Sequence, residues 1–305
     1  MFLFLSPYYM KTLNNEEAFL AVPEPELCSY EKSKFVIQQA PYEHTSSYLQ
    51  GSAKGPAAIV SASHFVEFYD EELDKETYKQ CGIATLPPID FKNKVDADAI
   101  ALIESETDKL IKDGKYVVSI GAEHTVTLGF VKAHAKKYKN PTVLQIDAHS
   151  DLRSSYHDNI YSHASVMARI HDIKIPLVQI GIRAQCKEES DLIKSSDNIH
   201  TFYAHHIRKS KRWMEEAIAK LSDNVYLTID ADGFDPSVIP AVGTAEPNGL
   251  FWVETLNFLK QVFEKKNVVG FDVVECAPMP GTILSEYTLA KLIYRLIGYS
   301  TLKNP

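Results

Sequence analysis

The chain has 305 residues, of which 45% are hydrophobic and 24% are charged, and a formal net charge of −8 at pH 7. These values are typical of a globular protein with one large hydrophobic core, so a single domain is expected. The excess of acidic residues argues against a nucleic-acid partner, which needs a basic surface for the phosphates.

The cysteines and the apolar segments suggest a soluble protein of the cytoplasm. The four cysteines include no Cys-x-x-Cys pair and are too widely spaced for a small disulfide framework, so free thiols are predicted. The apolar run Met1–Leu5 has no basic residues before it and ends at Ser6-Pro7. It resembles neither a signal peptide nor a membrane span, and no membrane partner is predicted.

Short apolar runs alternate with longer amphipathic stretches along the chain. The predicted strands are Ala57–Ser61, Tyr116–Ile120, Thr142–Ile146, Leu177–Ile182, His200–Tyr203, Val225–Ile229 and Val268–Val274. The predicted helices are Ala97–Asp113, Val126–Lys137, Ala164–His171, Lys209–Leu221, Val253–Lys265 and Ser285–Ile297. This alternation indicates an α/β fold with a parallel sheet between helix layers. In such sheets, active sites form beyond the carboxyl ends of the strands.

Metal-capable side chains follow four of the predicted strands. They are His124, the group Asp147, His149 and Asp151, the pair Asp230 and Asp232, and Glu275. Each signal has an ordinary alternative when taken alone. A single histidine before a helix is more often a cap or a satisfied polar residue, and Asp-x-Asp is common in turns.

The Asp-Ala-His-Ser-Asp motif is more specific than the others. Alternate residues of an extended segment point the same way, so Asp147, His149 and Asp151 converge on one point. Converging carboxylates repel one another unless a cation lies between them. The same reasoning applies to Asp230 and Asp232, and the two groups together predict bound metal.

The number and type of ligands predict two metal ions. Four carboxylates and two imidazoles would neutralise two divalent ions, and one ion could not use them all. A carboxylate-rich set without thiolate suits Mn²⁺ better than structural zinc. Paired ions make a shared water acidic enough to supply hydroxide near neutral pH, so the predicted reaction is metal-assisted hydrolysis.

These motifs, in this order, resemble those of the ureohydrolase family, which includes arginases and agmatinases. The resemblance begins near Gly51 and extends to the last predicted helix. It implies a three-layer α/β/α sandwich around a mostly parallel sheet. We accordingly divide the single domain into an N-terminal extension, residues 1–47, and a catalytic core, residues 48–305.

The resemblance also implies how the two Mn²⁺ ions are held. The ligands of one ion would be His124, Asp147, Asp151 and Asp230, and those of the other Asp147, His149, Asp230 and Asp232. A hydroxide between the ions would attack a guanidinium carbon and yield urea and an amine, and Asp151 would also orient this hydroxide.

Three further residues match positions of the family. Glu275 corresponds to the glutamate that pairs with the substrate guanidinium, although a plain surface acid is the alternative. His163 corresponds to the histidine that carries a proton to the leaving amine. Asp235 resembles a structural carboxylate that braces the turn containing Asp230 and Asp232.

The loops suggest which guanidino compound is the substrate. Arginases carry a longer loop after Asp-Ala-His-x-Asp, whereas residues 152–161 and 240–250 are more similar to those of agmatinases. The expected substrate is agmatine, a small cation that would be cleaved to putrescine and urea. Guanidinobutyrate, guanidinopropionate, arginine and formiminoglutamate stay open as alternatives.

Several residues depart from the family pattern. Gly-Ala-Glu-His-Thr replaces the commoner Gly-Gly-Asp-His-Ser, and Ala122 would be strained if its position needed a positive φ. Ala245 stands where proline is common and Asn248 where glycine is common. Both lie near the expected mouth of the substrate site.

Two other classes of protein share parts of this pattern. One is a catalytically silent relative that binds metal or a cation, and the other is a single-metal deacetylase on a related fold. The presence of all eight metal and catalytic residues favours the enzyme with two ions. The family commonly forms trimers or hexamers, so a homo-oligomer is expected.

Overall fold

The computed structural model describes residues 10–302, so the apolar segment Met1–Leu5 lies outside it. The strands in this range are β1 Phe35–Ala40, β2 Tyr69–Asp70, β3 Lys75–Glu76, β4 Ile83–Thr85, β5 Tyr116–Gly121, β6 Thr142–Ile146, β7 Leu177–Ile182, β8 Ile199–Tyr203, β9 Asn224–Asp230 and β10 Asn267–Val274. The α helices are α1 Gly55–Ser63, α2 Thr77–Cys81, α3 Asp96–Lys112, α4 Thr127–Lys137, α5 Val166–Asp172, α6 Lys187–Ser195, α7 Ala204–Ile207, α8 Trp213–Lys220, α9 Trp252–Lys265 and α10 Leu284–Tyr299.

Eight of these strands form one sheet in the order β4-β1-β5-β10-β9-β6-β7-β8. Every neighbouring pair in it is parallel. The strands β2 and β3 form a separate antiparallel pair. The four strands that precede the metal-capable residues are β5, β10, β9 and β6, and they are adjacent in the middle of the sheet. Their carboxyl ends therefore meet at one edge.

Helices cover both faces of the sheet. In β9, Val225, Leu227 and Ile229 belong to a core cluster that includes residues of α9 and α10. The intervening Tyr226 belongs to a second cluster with residues of α3 and α4. Because alternate residues of a strand point to opposite faces, the sheet lies between two helix layers. The predicted three-layer α/β/α sandwich is confirmed.

The predicted strand Ala57–Ser61 is wrong, because these residues lie inside α1. Pro56 stands in the first turn of this helix, where its missing N–H group is not needed. Ile59, Val60 and Ser63 are buried, which is the spacing of one helix face. The β-branched Ile59 and Val60 favour a strand by propensity, but their helix packs against α10.

The sequence analysis missed β1, which pairs with both β4 and β5. Its apolar run is interrupted by Gln38 and Gln39, and both side chains are buried. The Gln38 Oε1 atom accepts a hydrogen bond from Thr107 at 2.9 Å, and Gln39 Nε2 donates one to the Leu86 carbonyl at 3.0 Å. β1 belongs to residues 1–47, which the sequence analysis had set apart from the core.

Smaller differences concern helices on the surface. α8 begins at Trp213, four residues later than predicted, and α6 was not predicted. α6 is rich in charged residues, and Glu189 is its one buried residue. All four cysteines have free thiols. Between residues 10 and 302, no helix combines the length and the apolar character that a membrane span requires.

Candidate active site and metal centre

The carboxyl ends of the central strands surround a cavity of about 300 Å³. Residues predicted to hold metal or substrate line it: His124, His149, Asp151, His163, Asp230, Asp232 and Glu275. The remaining predicted ligand, Asp147, is fully buried beside them. The structure therefore brings all eight sequence-predicted site residues together.

One imidazole nitrogen is surrounded by three carboxylates. His124 Nδ1 lies 3.0 Å from an oxygen of Asp147, 3.0 Å from one of Asp151 and 3.3 Å from one of Asp230. Its ring is almost completely buried, and Nδ1 has no hydrogen-bond partner within residues 10–302. A buried nitrogen facing three carboxylate oxygens is the donor arrangement of a metal site.

A second group shares Asp147 with the first. His149 Nδ1 lies 3.0 Å from a carboxylate oxygen of Asp232 and 3.7 Å from one of Asp147. Ligand atoms of Asp147, His149 and Asp232 are close enough to bind one ion, as are those of His124, Asp147 and Asp151. Two ions held in this way would be neighbours, with Asp147 between them.

The electrostatics of the cluster call for added positive charge. Burial and the carboxylates of Asp232 and Asp147 raise the pKa of Asp230 well above its ordinary value. Burial and Asp147 raise the pKa of Asp151 to about 7. Burial disfavours the charged form of His149, but Asp232 and Asp147 outweigh it and raise the pKa of His149 to about 12. Divalent cations would relieve the same repulsion that these retained protons relieve.

The second nitrogen of His124 shows which ring atom is free for a metal. The Thr228 hydroxyl donates its single hydrogen to Asp272 at 2.6 Å. Its oxygen must then accept from His124 Nε2, which lies 3.0 Å away. The proton of a neutral His124 is therefore on Nε2, and the lone pair of Nδ1 points at the three carboxylates. This is the tautomer that a metal ligand requires.

Buried amide side chains hold Asp147. Gln145 Nε2 donates to an oxygen of Asp147 at 2.6 Å. Gln179 donates to the Gln145 Oε1 atom at 2.6 Å, and Thr201 donates to the Gln179 Oε1 atom at 2.8 Å. The sequence analysis did not identify these residues. The available signal was glutamine inside two otherwise apolar strands, β6 and β7.

Hydrogen bonds to an aspartate and an arginine side chain hold the turn after β9. The Asp230 carboxylate accepts the backbone N–H of Asp232 at 2.8 Å. Asp235 accepts from the backbone N–H groups of Ser237 and Gly249, which ties residues 235–237 to the loop before α9, and its predicted bracing of the turn at Asp230 and Asp232 stays a prediction. The guanidinium of Arg183, which sequence reasoning missed, donates to the backbone carbonyls of Gly181, Asp232, Gly233, Phe234 and Glu246.

Two acidic residues of the cavity have unusual backbone conformations. Asp151 has φ of +54° and Glu275 has φ of +63°. Such angles are costly for residues other than glycine and concentrate at functional sites. Glu275 Oε1 accepts the backbone N–H of His124 at 2.6 Å, which links the ends of β5 and β10. Burial and the neighbouring Glu123 raise the pKa of Glu275.

His163 begins a short 3₁₀ segment and lines the cavity. Its ring meets that of Tyr156 edge to face, with 5.8 Å between centroids. Burial and the imidazoles of His149 and His124 lower the pKa of His163 to about 4. The ring is therefore neutral near pH 7.

The departures from the family pattern fit the backbone. Ala122 is not one of the positive-φ residues of the described chain, so its methyl group causes no strain of the kind considered above. Asn248 has φ of +67°, a conformation that asparagine tolerates better than most residues after glycine. Asparagine is thus an acceptable substitute for glycine there.

The donor set fits divalent metal ions such as Mn²⁺. It consists of carboxylate oxygens and imidazole nitrogens, and all four cysteines lie elsewhere in the chain. The orphaned His124 Nδ1 atom supports the same conclusion.

The chain is similar to known proteins over most of its length. The chain is 43% identical over 279 residues to an N(1)-aminopropylagmatine ureohydrolase of Synechocystis, covering 90% of this chain and 91% of that protein. It is 35% identical over 260 residues to an agmatinase of Bacillus anthracis, covering 82% and 86%.

A solved structure shares the fold. The agmatine ureohydrolase of Thermoplasma volcanium superimposes with a TM-score of 0.81 at 30% sequence identity, covering 93% of this chain and 94% of that one. The model of the arginase family matches residues 33–298. The fold, the cavity residues and these matches agree, and the chain belongs to the arginase family.

Proposed function

We propose that this chain hydrolyses the guanidinium group of a linear guanidino-amine, releasing urea and a polyamine. It is a hydrolase of amidino C–N bonds, like its relatives. The observation that carries the proposal is the convergence on one cavity of two imidazole–carboxylate groups, Glu275 and His163.

The side chains of the cavity would divide the work as follows. Glu275 would accept two N–H bonds from the planar guanidinium and orient its carbon toward the carboxylate clusters. His163 would receive a proton and donate it to the nitrogen of the leaving amine. Asp151 would accept a hydrogen bond from the attacking water and fix its direction.

Two Mn²⁺ ions are proposed to be held by His124, Asp147, Asp151, Asp230, His149 and Asp232, with Asp147 and Asp230 shared. When bound, such ions supply the positive charge that makes a water molecule sufficiently acidic to act as a nucleophile near neutral pH.

We propose N(1)-aminopropylagmatine as the first substrate to test and agmatine as the second. The relative at 43% identity carries the first name, and the motifs of the substrate loops resemble those of agmatinases, which favours the second. Loss of the guanidino carbon would convert N(1)-aminopropylagmatine to spermidine and agmatine to putrescine. Either aliphatic chain would leave the cavity past Tyr48 and Leu49, which line it and are exposed.

Urea release by the Mn²⁺-loaded protein tests the function. The two favoured compounds are compared with arginine, guanidinobutyrate, guanidinopropionate and formiminoglutamate, the last by formamide release. We expect the highest kcat/KM for one of the two polyamine precursors. Bound metal is counted in the same preparation by atomic emission, with two ions per chain expected.

Two variants assign the activity to the cavity. Asp147→Asn should remove urea release and lower the metal content, whereas Glu275→Gln should retain metal and lose turnover. Preference for another guanidino compound would overturn the substrate proposal and keep the chemistry. No product from any compound, despite two bound ions, would favour a silent relative.

We further infer that the protein is a homo-oligomer, a trimer or hexamer, as the family resemblance implies. The four free cysteines support a reducing compartment, and we propose the cytoplasm. Light scattering of the purified full-length chain measures its mass directly. A monomer of 34.3 kDa would contradict the inference.

A further inference from the structure

The side chain of Thr45 touches the proposed proton carrier twice. Its Oγ1 atom lies 3.0 Å from His163 Nδ1 and accepts the backbone N–H of His163 at 3.0 Å. The two residues are 118 positions apart in the chain. Thr45 belongs to the N-terminal segment that precedes the motifs, to which the sequence analysis gave no part in the site.

A buried carboxylate holds Thr45 in place. Glu123 is fully buried, and its Oε2 atom accepts the backbone N–H groups of His44 at 2.9 Å and Thr45 at 2.6 Å. Glu123 is the residue that departs from the commoner aspartate of the family motif.

The adjoining loop is also tied down. Glu43 accepts the backbone N–H groups of Gly51 at 2.7 Å and Ala53 at 3.0 Å, together with the Ser46 hydroxyl at 3.1 Å. The carboxylates at 43 and 123 therefore fix the segment on both sides of Thr45. Ser46 and Leu49 of the same loop line the cavity.

We propose that Thr45 is a positioning residue for His163. Its hydroxyl occupies Nδ1, so Nε2 is the ring nitrogen left to exchange a proton with the substrate. Its double contact with ring and backbone fixes the orientation of the imidazole in the cavity wall. The inference rests on the proposed function where it takes His163 as the proton carrier, and the contact itself is independent of that function.

Kinetics of matched variants test the proposal. Thr45→Val keeps the shape of the side chain and removes the hydroxyl, whereas Thr45→Ser keeps the hydroxyl. Because misplacement of a catalytic group by about 1 Å can cost on the order of 100-fold, we expect Thr45→Val to lower kcat by about 10- to 100-fold. KM should change by less than about threefold, since His163 acts on the leaving group. Thr45→Ser should recover most of the lost kcat.

A second readout separates positioning from general destabilisation. The solvent deuterium isotope effect on kcat should increase in Thr45→Val, because proton transfer becomes slower. Thr107→Val is the matched control. It removes another buried threonine hydroxyl, which belongs to α3 and donates to Gln38 of β1, and should leave kcat and the isotope effect unchanged.

Imidazole ¹⁵N spectra test the contact without any activity. Histidine-labelled protein is loaded with diamagnetic Zn²⁺, and His163→Gln identifies the signals of His163. Thr45→Val should shift them by several ppm, whereas Thr107→Val should not.

The outcomes distinguish the inference from the proposed function. An active wild-type protein whose kcat and ¹⁵N shifts are the same in Thr45→Val would overturn the positioning role. An inactive wild-type protein in which Thr45→Val shifts only the His163 signals would remove the proposed function and support the contact.

Discussion

Thr228→Val tests whether a single hydroxyl sets the ring orientation of His124. Valine has nearly the shape of threonine, so the core around β9 should stay filled. The change leaves the Nε2–H group of His124 buried without an acceptor, which costs about 1–3 kcal/mol. Asp272 also loses its 2.6 Å hydrogen bond but keeps those from Tyr226 and Thr127. We therefore expect the free energy of unfolding of metal-free protein to fall by about 2–4 kcal/mol.

Metal binding should weaken in the same variant. Loss of the group that orients a ligating histidine typically lowers metal affinity by about 10- to 100-fold. Mn²⁺ titration of metal-free protein by calorimetry measures this change, and urea denaturation of the same sample measures stability. Thr228→Ser is the matched control, because it keeps the hydroxyl and loses one buried methyl group, worth about 0.8 kcal/mol.

Two results would refute this reasoning. One is unchanged Mn²⁺ affinity in Thr228→Val, which would mean that the hydroxyl does not orient His124. The other is an equal loss of affinity in Thr228→Ser, which would assign the effect to packing around the strand.

Three further predictions concern stability. Gly270→Ala would place a methyl group 2.3 Å from His134 Nε2 in the core. We expect the free energy of unfolding to fall by about 1–3 kcal/mol, and an unchanged midpoint of urea denaturation would contradict the packing described. Burial lowers the pKa of His134 from 6.5 to about 4. As the pH falls, the unfolded chain therefore binds a proton at this histidine before the folded chain does. The free energy of unfolding should decrease by up to about 3 kcal/mol between about pH 6.5 and pH 4. Denaturation curves of His134→Leu over this pH range should lack that component. Arg183→Lys keeps the charge but loses the planar guanidinium that donates to the carbonyls of the turn after β9. Calorimetry should show a lower Tm and a free energy of unfolding lower by about 2–4 kcal/mol. An unchanged Tm would mean that these hydrogen bonds do not stabilise the turn.

The central strands and the grouping of the candidate ligands could be predicted from the sequence for a local reason. Each ligand lies directly after an apolar run, and parallel strands bring their carboxyl ends together. Asp147 directly follows β6, as predicted, but the expected convergence of Asp147, His149 and Asp151 on one point through an extended segment is wrong: Asp151 has φ of +54°, and His149 and Asp151 belong to different groups. Two of the predicted strands, Thr142–Ile146 and Leu177–Ile182, have the same bounds in the structure.

The parts that were missed depend on contacts between distant residues. Thr45 contacts His163 although the two residues are 118 positions apart, and the local sequence around neither residue predicts this contact. β1 was not predicted because Gln38 and Gln39 look like surface residues in the sequence. Their side chains are buried and form hydrogen bonds with residues distant in the chain. Thr228 appears in the sequence as one more β-branched residue of an apolar strand, and its role emerges only when His124 lies beside it.

The position of β10 in the sheet constrains the order of folding. Of the strands between residues 10 and 302, it is the last in the chain, yet it lies between β5 and β9, near the centre of the sheet. Until residues 267–274 have left the ribosome, the strands on either side have no common neighbour, and the sheet remains two separate halves with exposed inner edges. Such edges are prone to pair with other chains. His124 follows β5 in one half and Asp230 ends β9 in the other, so these two residues come together only when β10 is inserted between the halves.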